Sequence, residues 1–147
     1  GSWHRGRLTS PMRAIGIDLG EKRIGVAISD SSGNLATPYE VVLRTGDRAQ
    51  EHRQIRAIVE EVEAEIVVVG LPLSLDGSEG KAAKAAREEA KAIGQIVSLP
   101  LEMHDERFTT VEAERLLKEQ GLKAPERRKV VDKVAAAILL QAWMDGR

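Results

Sequence analysis

The sequence predicts an α/β fold: a five-stranded mixed sheet, with three antiparallel strands first, flanked by helices. Two features of the 147-residue chain support this prediction. Short apolar segments separated by tight turns open the chain, and later apolar segments alternate with stretches of helical periodicity. The resulting order is three strands, a helix, a strand, a helix, a strand and two helices. A helix between two strands is typical of a parallel crossover.

The first two strands form a predicted hairpin, because residues 14–20 and 24–29 are apolar runs separated by a short polar turn. Alternation divides each strand into a bulky face (Ile15, Ile17 and Leu19; Ile24, Val26 and Ile28) and a bare face (Ala14, Gly16 and Asp18; Gly25, Ala27 and Ser29). Asp18 is therefore a carboxylate on a face that a metal ion, a phosphate or another backbone can approach closely. The alternative is structural: Asp18 caps the turn, and the small residues accept a packed helix.

Three further elements follow the hairpin. Residues 34–43 form a third predicted strand, in which Pro38 indicates an edge or a bulge because proline has no N–H to donate. Residues 47–63 carry apolar side chains at helical spacing. Residues 65–70 are a continuous apolar run, which is typical of a central strand covered on both faces.

The second half of the chain is predicted to be mainly helical. Its elements are a helix over 78–96 capped by Ser78, a strand over 99–104, and helices over 109–121 and 125–144. The stripe of the last helix that faces the core holds Asp132 together with Ala135, Ala136, Leu139, Leu140 and Trp143. An acid on a buried stripe needs a partner or a metal ion.

Composition restricts the class of protein. One domain over residues 12–147 is expected, and residues 1–11, which lack apolar periodicity, are interpreted as a cloning remnant or a disordered leader. The absence of cysteine excludes disulfides and thiolate metal sites, and a net charge of −1 excludes a strongly basic nucleic-acid arm. The apolar runs are far shorter than the roughly 18 residues of a membrane span. A soluble protein without a secretion signal is therefore expected.

Two further acidic positions resemble that of Asp18. Asp105 and Glu106 follow the fifth strand at its carboxyl end, where many α/β proteins bind ligands, and Asp132 lies on the buried stripe. Each has a structural alternative: a pair with Arg107 for the strand-end acids, and a favourable helix dipole or internal salt bridge for Asp132. Three such coincidences in one chain favour a shared site over three separate structural roles.

Clustered carboxylates without cysteine or paired histidine are hard oxygen ligands, which favour Mg²⁺ or Mn²⁺. Three carboxylates can hold one or two such ions. Two ions about 3.5 to 4 Å apart can activate water and stabilise the leaving oxygen in phosphodiester hydrolysis. The chemistry indicated is metal-dependent hydrolysis, which needs no catalytic histidine.

Basic residues beside the acids are candidates for contact with a phosphate backbone. Lys22 and Arg23 lie in the hairpin turn after Asp18, and Arg107 follows Glu106. The alternative for each is a solvated turn or a local salt bridge. We expect Lys22, Arg23 and Arg107 to bind substrate.

Four ordered segments resemble the signatures of the YqgF/RuvX family. They are GIDLGEKRIGVA at 16–27, GLPLSLDGSEG at 70–80, DERFTT at 105–110 and DKVAAAILL at 132–140. The resemblance spans essentially residues 12–144, and four motifs in this order are far more specific than any single one.

This resemblance implies an RNase H-like fold, a location in the bacterial cytoplasm and a nuclease that processes the 5′ end of precursor 16S ribosomal RNA. Members of the family have also been called Holliday junction resolvases. Carried over to this chain, the family's acidic set of catalytic residues and metal ligands is Asp18, Glu106 and Asp132. Asp105 is a rival for the second position. Alternation sends Asp105 and Glu106 to opposite faces, so only one of them should point at Asp18.

Other functions stay open at the level of sequence. The segment at 18–20 also resembles the first phosphate loop of the sugar-kinase and actin group, but those proteins place nucleotide between two domains. A non-catalytic nucleic-acid adaptor could retain the same fold. The sequence leaves open whether the nucleic-acid partner is structured RNA or branched DNA, and whether the protein is a monomer or a homodimer.

Overall fold

The structure, a computed structural model, describes residues 12–107 and 124–146, with side chains from residue 134 onward in the second range. The strands are β1 (Ala14–Leu19), β2 (Arg23–Ser29), β3 (Ala36–Leu43), β4 (Ile66–Leu71) and β5 (Leu101–Asp105). The described helices are α1 (Arg48–Val62), α2 (Lys81–Val97) and α3 (Ala124–Asp145). The predicted leader (1–11) and the predicted helix over 109–121 lie outside the described residues. No helix in the two described ranges has the length and apolar character needed to cross a membrane.

The strands form one mixed sheet in the order β3-β2-β1-β4-β5. β2 pairs antiparallel with both β1 and β3, whereas β4 pairs parallel with both β1 and β5. α2 lies between β4 and β5 in the chain and provides the crossover that a parallel pair requires. The predicted five-stranded mixed sheet with three antiparallel strands first is confirmed.

β3 forms one edge of the sheet and contains the expected irregularity. Its register against β2 shifts between Val26 and Ala27, whose partners are Glu40 and Pro38. Tyr39 is therefore the additional residue of a β-bulge. The edge position and the bulge predicted from Pro38 are both confirmed.

The bulky face of the sheet is covered by α1 and α2. Its core consists of aliphatic side chains from the sheet and both helices: Ile15, Ile17, Ile24, Val26, Val42, Ile55, Ile58, Val59, Val67, Val69, Ala90 and Ile93. α1 begins after Asp47, whose carboxylate accepts the Gln50 N–H at 3.2 Å as a helix cap. The predicted bulky faces of β1 and β2 are confirmed by this core.

The bare face of the sheet is covered by α3. A Cβ atom at Gly16 would lie 2.8 Å from Leu140 Cβ and 3.1 Å from the Ala136 carbonyl oxygen. The Trp143 indole N–H donates to Glu102, near the start of β5, at 3.3 Å. α3 therefore runs in the opposite sense to β1, with its later turns against the beginnings of the parallel strands. The small residues accept a packed helix, as the structural alternative predicted.

Replacing Gly16 with alanine is expected to destabilise the fold, because the added methyl group would displace the backbone of α3. We expect the free energy of unfolding, measured by urea denaturation, to fall by about 1 to 3 kcal/mol. Gly94→Ala is the matched control, since a Cβ atom at Gly94 meets Leu101 Cδ1 at an ordinary 3.5 Å. Equal stability of Gly16→Ala and the parent protein would contradict the close packing of α3.

α2 begins later than predicted, and Ser78 does not cap it. Gly80 precedes the helix and makes no side-chain capping hydrogen bond. Ser78 instead donates its hydroxyl and its backbone N–H to the Asp76 carboxylate at 2.7 and 2.9 Å. The capping prediction was wrong because an acid two residues earlier accepts both donors within the loop.

Candidate active site

Asp18 and Glu106 lie at the end of the sheet where the parallel strands β1, β4 and β5 finish, on the face covered by α3. Asp18 is near the end of β1, and Glu106 directly follows β5. The Glu106 N–H donates to the Leu71 carbonyl oxygen at 3.1 Å, which extends the pairing of β4 with β5 beyond the strand. Because β1, β4 and β5 are parallel, their carboxyl ends meet at this edge and bring the two acids together.

A glycine leaves the space in which these acids meet. Gly70 belongs to β4, the strand between β1 and β5. Neighbouring strands lie about 4.8 Å apart, so Glu106 has to reach across β4 to approach Asp18. A Cβ atom at Gly70 would collide with Glu106 Oε2 and lie 3.0 Å from Glu106 Cδ. The carboxylate of Glu106 therefore occupies the volume that a side chain at residue 70 would fill.

Glu106 and Asp18 share a side-chain hydrogen bond, which requires a proton on the pair. Burial disfavours the ionised form of Glu106, and the negative charge of Asp18 and the hydrogen bond to it favour the protonated form further. The charge of Asp105 adds a smaller effect, and together these causes raise the pKa of Glu106 to about 8. Two carboxylates this close are stable with a shared proton or with a cation in its place.

Asp105, the rival acid, is engaged with Arg107. Its carboxylate accepts the Arg107 backbone N–H at 3.0 Å and Nε–H at 2.7 Å, and Arg107 Nη2 lies 2.6 Å away. This hydrogen bonding and the guanidinium charge hold the pKa of Asp105 below its usual value. Arg107 Nη1 also donates to the Leu75 carbonyl oxygen at 3.3 Å. The geometry thus brings Glu106, and not Asp105, into hydrogen-bond contact with Asp18.

Asp132 lies in α3, one turn before Ala136, and its side chain is outside the described part of the chain. Since α3 runs opposite to β1, this turn lies toward the end of β1 that carries Asp18. The other members of the predicted stripe are buried: Ala135, Ala136, Leu139, Leu140 and Trp143. The role of Asp132 as a third acid stays a prediction.

The predicted substrate-binding residues lie on two elements near the acids. Lys22 is exposed in the turn between β1 and β2, and Arg23 is half-buried at the start of β2. Arg107 is tied to Asp105 beside Glu106. Lysine and arginine side chains are common partners of backbone phosphates. The binding role of each residue stays a prediction.

The donor set of this site fits a hard divalent cation. Asp18 and Glu106 supply carboxylate oxygens, and a cation can replace the proton that they share. Among the side chains that the structure describes, no group of three or more acids, histidines or cysteines is suited to holding a metal ion. The predicted third ligand, Asp132, lies outside the side chains that the structure describes.

Two features of this region were not predicted from the sequence. The first is Gly70, which the apolar pattern marks only as the end of a strand. The second is a largely buried group of hydrogen-bonded polar side chains behind the turn between β1 and β2: Arg44, Glu51, His52 and Glu89. Helical spacing contains a signal for it, because Glu51 lies four residues before Ile55 and Glu89 three residues after Ala86, on buried stripes.

Known proteins resemble this chain over nearly all of its length. A family model described as "RuvX: Holliday junction resolvase" matches residues 12–146. A protein of Rhodococcus opacus (strain B4), named "Putative pre-16S rRNA nuclease", is 51% identical over 139 residues, which cover 92% of this chain and 78% of that protein. A protein of the same name from Anaeromyxobacter sp. (strain Fw109-5) is 46% identical over 136 residues, which cover 92% and 98% of the two chains.

Two solved structures share the fold. RuvC of T. thermophilus in complex with a Holliday junction substrate has a TM-score of 0.59 at 17% identity, covering 91% of this chain and 96% of that chain. A second structure of Thermus thermophilus RuvC has a TM-score of 0.52 at 18% identity, with coverage of 91% and 97%. This likeness confirms the RNase H-like architecture. With the family model and the relatives at about half identity, it leads to one conclusion: the chain belongs to the RuvX family.

Proposed function

We propose that this chain is a metal-dependent nuclease that hydrolyses phosphodiester bonds and processes the 5′ end of pre-16S rRNA in the bacterial cytoplasm. The observation that carries the proposal is the hydrogen bond that Asp18 and Glu106 share across Gly70 of β4. Two acids held together at the carboxyl edge of parallel strands offer hard oxygen ligands to a divalent cation. Membership of the RuvX family and the name of the relatives support the choice of reaction and substrate.

In this proposal Asp18, Glu106 and Asp132 hold Mg²⁺ or Mn²⁺. When bound, the metal supplies Lewis acidity, which activates water and neutralises charge on the leaving oxygen. The carboxylates would hold the ion in place, and Glu106 would have to be ionised to act as a ligand. Lys22, Arg23 and Arg107 bind phosphates beside the scissile bond and hold the strand in register with the acids.

A second candidate function is the resolution of Holliday junctions, which the description of the family model supports. The two functions differ in the symmetry that they require. A four-way junction cut in matching strands suits a two-fold homodimer, whereas trimming one RNA end suits a monomer.

A side-by-side cleavage assay distinguishes these functions. A precursor 16S RNA fragment and a four-way DNA junction are incubated with equal protein and Mg²⁺ concentrations, with Mn²⁺ in a parallel series. We expect cleavage near the 5′ end of the precursor. Cleavage of the junction alone would make the protein a resolvase. Tight RNA binding without metal-dependent cleavage of either substrate would make it a non-catalytic adaptor.

Replacing Gly70 with alanine is expected to impair cleavage with little effect on stability. The methyl group would push the flexible end of Glu106 away from Asp18, while its contact with Leu139 Cδ2 at 3.3 Å adds only mild crowding. We expect kcat to fall about 100-fold and the free energy of unfolding to change by less than about 1 kcal/mol. Gly94→Ala adds the same methyl group away from the acids and should leave kcat unchanged. An unimpaired Gly70→Ala enzyme would show that the position of Glu106 does not matter.

A further inference from the structure

A largely buried ionic cluster lies behind the turn that follows Asp18. This Arg44 cluster consists of Arg44, Glu51, His52 and Glu89. Arg44 directly follows β3, Glu51 and His52 lie near the start of α1, and Glu89 lies in the middle of α2. The exposed fraction of the side chain is 17% for Arg44, 3% for Glu51 and 4% for Glu89.

Arg44 is the centre of this cluster. Its Nη1 donates to Glu51 Oε1 at 3.0 Å and to Glu89 Oε2 at 2.6 Å, and its Nη2 donates to Glu89 Oε1 at 2.9 Å. The remaining nitrogen, Nε, donates to the Gly20 carbonyl oxygen at 3.1 Å. One planar guanidinium therefore joins α1, α2 and the turn between β1 and β2.

The two carboxylates of the cluster are held in their charged form. Burial would raise the pKa of Glu51, but N–H groups of residues 45–46 and the Arg44 guanidinium lower it to about 2. Burial likewise opposes the charge of Glu89, yet hydrogen bonds to Arg44 and His52 lower the pKa of Glu89. His52 Nε2 lies 2.8 Å from Glu89 Oε2. The guanidinium thus has charged acceptors on α1 and α2 and a backbone acceptor in the turn.

The turn that Arg44 contacts follows the end of β1, where Asp18 of the candidate active site lies. The Gly20 N–H donates to the Arg23 carbonyl oxygen at 3.0 Å and lies 3.2 Å from that of Asp18. The Arg44 backbone N–H donates to the Lys22 carbonyl oxygen at 2.9 Å. Arg44 is thus bonded to the turn by its side chain at one residue and by its backbone at another.

The helices pack on the sheet through aliphatic side chains outside the Arg44 cluster. An aliphatic core already joins α1 and α2 to the strands through Ile55, Ile58, Ala90 and Ile93. Burying charged groups carries a desolvation penalty that ion pairing offsets only in part. The distinctive contribution of the Arg44 cluster is therefore geometric: it ties the active-site turn to two packed helices.

We propose that Arg44 is a positioning residue, which fixes the backbone after Asp18 and thereby the direction in which the Asp18 carboxylate meets a divalent cation. Its contacts with the turn at Gly20 and Lys22 carry this effect. The inference rests on the proposed metal-dependent function, because the cation gives the orientation of Asp18 its importance. Arg44 itself acts through the turn and not on the substrate.

Arg44→Lys is the informative variant, because one ammonium group keeps the charge but cannot contact both carboxylates and the turn in a single plane. Glu89→Gln is the second variant, since it loosens the same guanidinium from α2 and leaves Arg44 in place. Arg56→Lys is the matched control, because Arg56 pairs with Glu60 at 3.4 Å on the exposed side of α1.

The test combines amide hydrogen exchange of the metal-free protein, Mn²⁺ titration calorimetry and the cleavage assay. For Arg44→Lys we expect exchange at the Gly20 amide to rise about tenfold relative to the amides of β4. Mn²⁺ affinity should fall about tenfold, with the loss in cleavage falling on kcat more than on KM. Glu89→Gln should shift the same quantities in the same direction, and Arg56→Lys should shift none of them.

The inference would be overturned if Arg44→Lys left both the exchange at the turn and the Mn²⁺ affinity unchanged. If Arg44→Lys does not fold, the same result in a folded Glu89→Gln would overturn it. A uniform rise in exchange across the turn and β4 would also overturn it, because it indicates a general structural role. A parent protein that neither binds Mn²⁺ nor cleaves nucleic acid would refute the proposed function instead, while exchange at Gly20 would still decide whether Arg44 fixes the turn.

Discussion

Replacing Asp18 with asparagine is expected to abolish metal-dependent cleavage while leaving the fold intact. The amide keeps the size of the side chain and can still hydrogen-bond to Glu106, but it removes the charge that a cation requires. Loss of that charge should lower kcat/KM about 1000-fold, equivalent to about 4 kcal/mol of transition-state stabilisation. The measurement is the initial rate of RNA cleavage at saturating Mg²⁺, with the EDTA-treated parent protein as the baseline.

Two comparisons separate chemistry from folding in this experiment. Glu40→Gln removes the same charge from an exposed position on β3 and should leave cleavage unchanged. In metal-free buffer, Asp18→Asn should be at least as stable as the parent protein, because the variant lessens the repulsion that acts on Glu106. Full cleavage by Asp18→Asn would exclude Asp18 from the site. A loss of stability would assign it a structural role.

Replacing Glu106 with glutamine is expected to stabilise the metal-free protein in alkaline buffer. The folded protein holds the Glu106 proton up to a pKa of about 8, whereas the ordinary value of 4.5 applies to the unfolded chain. Between these values the folded state binds more protons, so the free energy of unfolding falls as the pH rises. Glu106→Gln removes this dependence. Because the carboxyl group keeps some access to water, we expect a gain of about 2 kcal/mol at pH 8, measured by urea denaturation.

Addition of Mg²⁺ should make the parent protein more stable to unfolding than Glu106→Gln. The parent protein can exchange the shared proton for the cation, so its Mg²⁺ affinity should rise with pH up to about 8 and binding should release protons. Glu106→Gln lacks one ligand charge and should gain little stability from Mg²⁺. Calorimetry in buffers of different ionisation enthalpy measures the released protons. An Mg²⁺ affinity that is independent of pH would argue against Glu106 as a ligand.

Strand alternation predicted much of the arrangement from sequence alone. The contrast between isoleucine and glycine in β1 and β2 assigned each face correctly, because side chains in a strand repeat every two residues. The same rule separated Asp105 from Glu106, and in the structure Asp105 contacts Arg107 while Glu106 contacts Asp18. Signals of this kind are local and strong, since a shift of one residue would move every side chain of the strand to the opposite face of the sheet.

The unpredicted features depend on tertiary placement. Gly70 matters because β4 lies between β1 and β5, and strand order is not encoded in the periodicity of any one segment. The Arg44 cluster joins residues from three elements whose proximity follows from how α1 and α2 dock on the sheet. The wrong cap at Ser78 has a different origin. The Ser78 hydroxyl could hydrogen-bond either to the helix terminus or to a carboxylate in the loop, and in the structure it donates to the Asp76 carboxylate.

The bulge in β3 has a consequence for assembly. Exposed strand edges can pair with a second chain and extend the sheet, but Pro38 offers no N–H and Tyr39 interrupts the regular register. The Tyr39 hydroxyl is also bonded to Glu61 of α1, which holds the bulge against the helix. Continuous pairing of this edge with a second copy is therefore disfavoured. A two-fold dimer able to cut both strands of a symmetric junction would have to join its subunits through other surfaces.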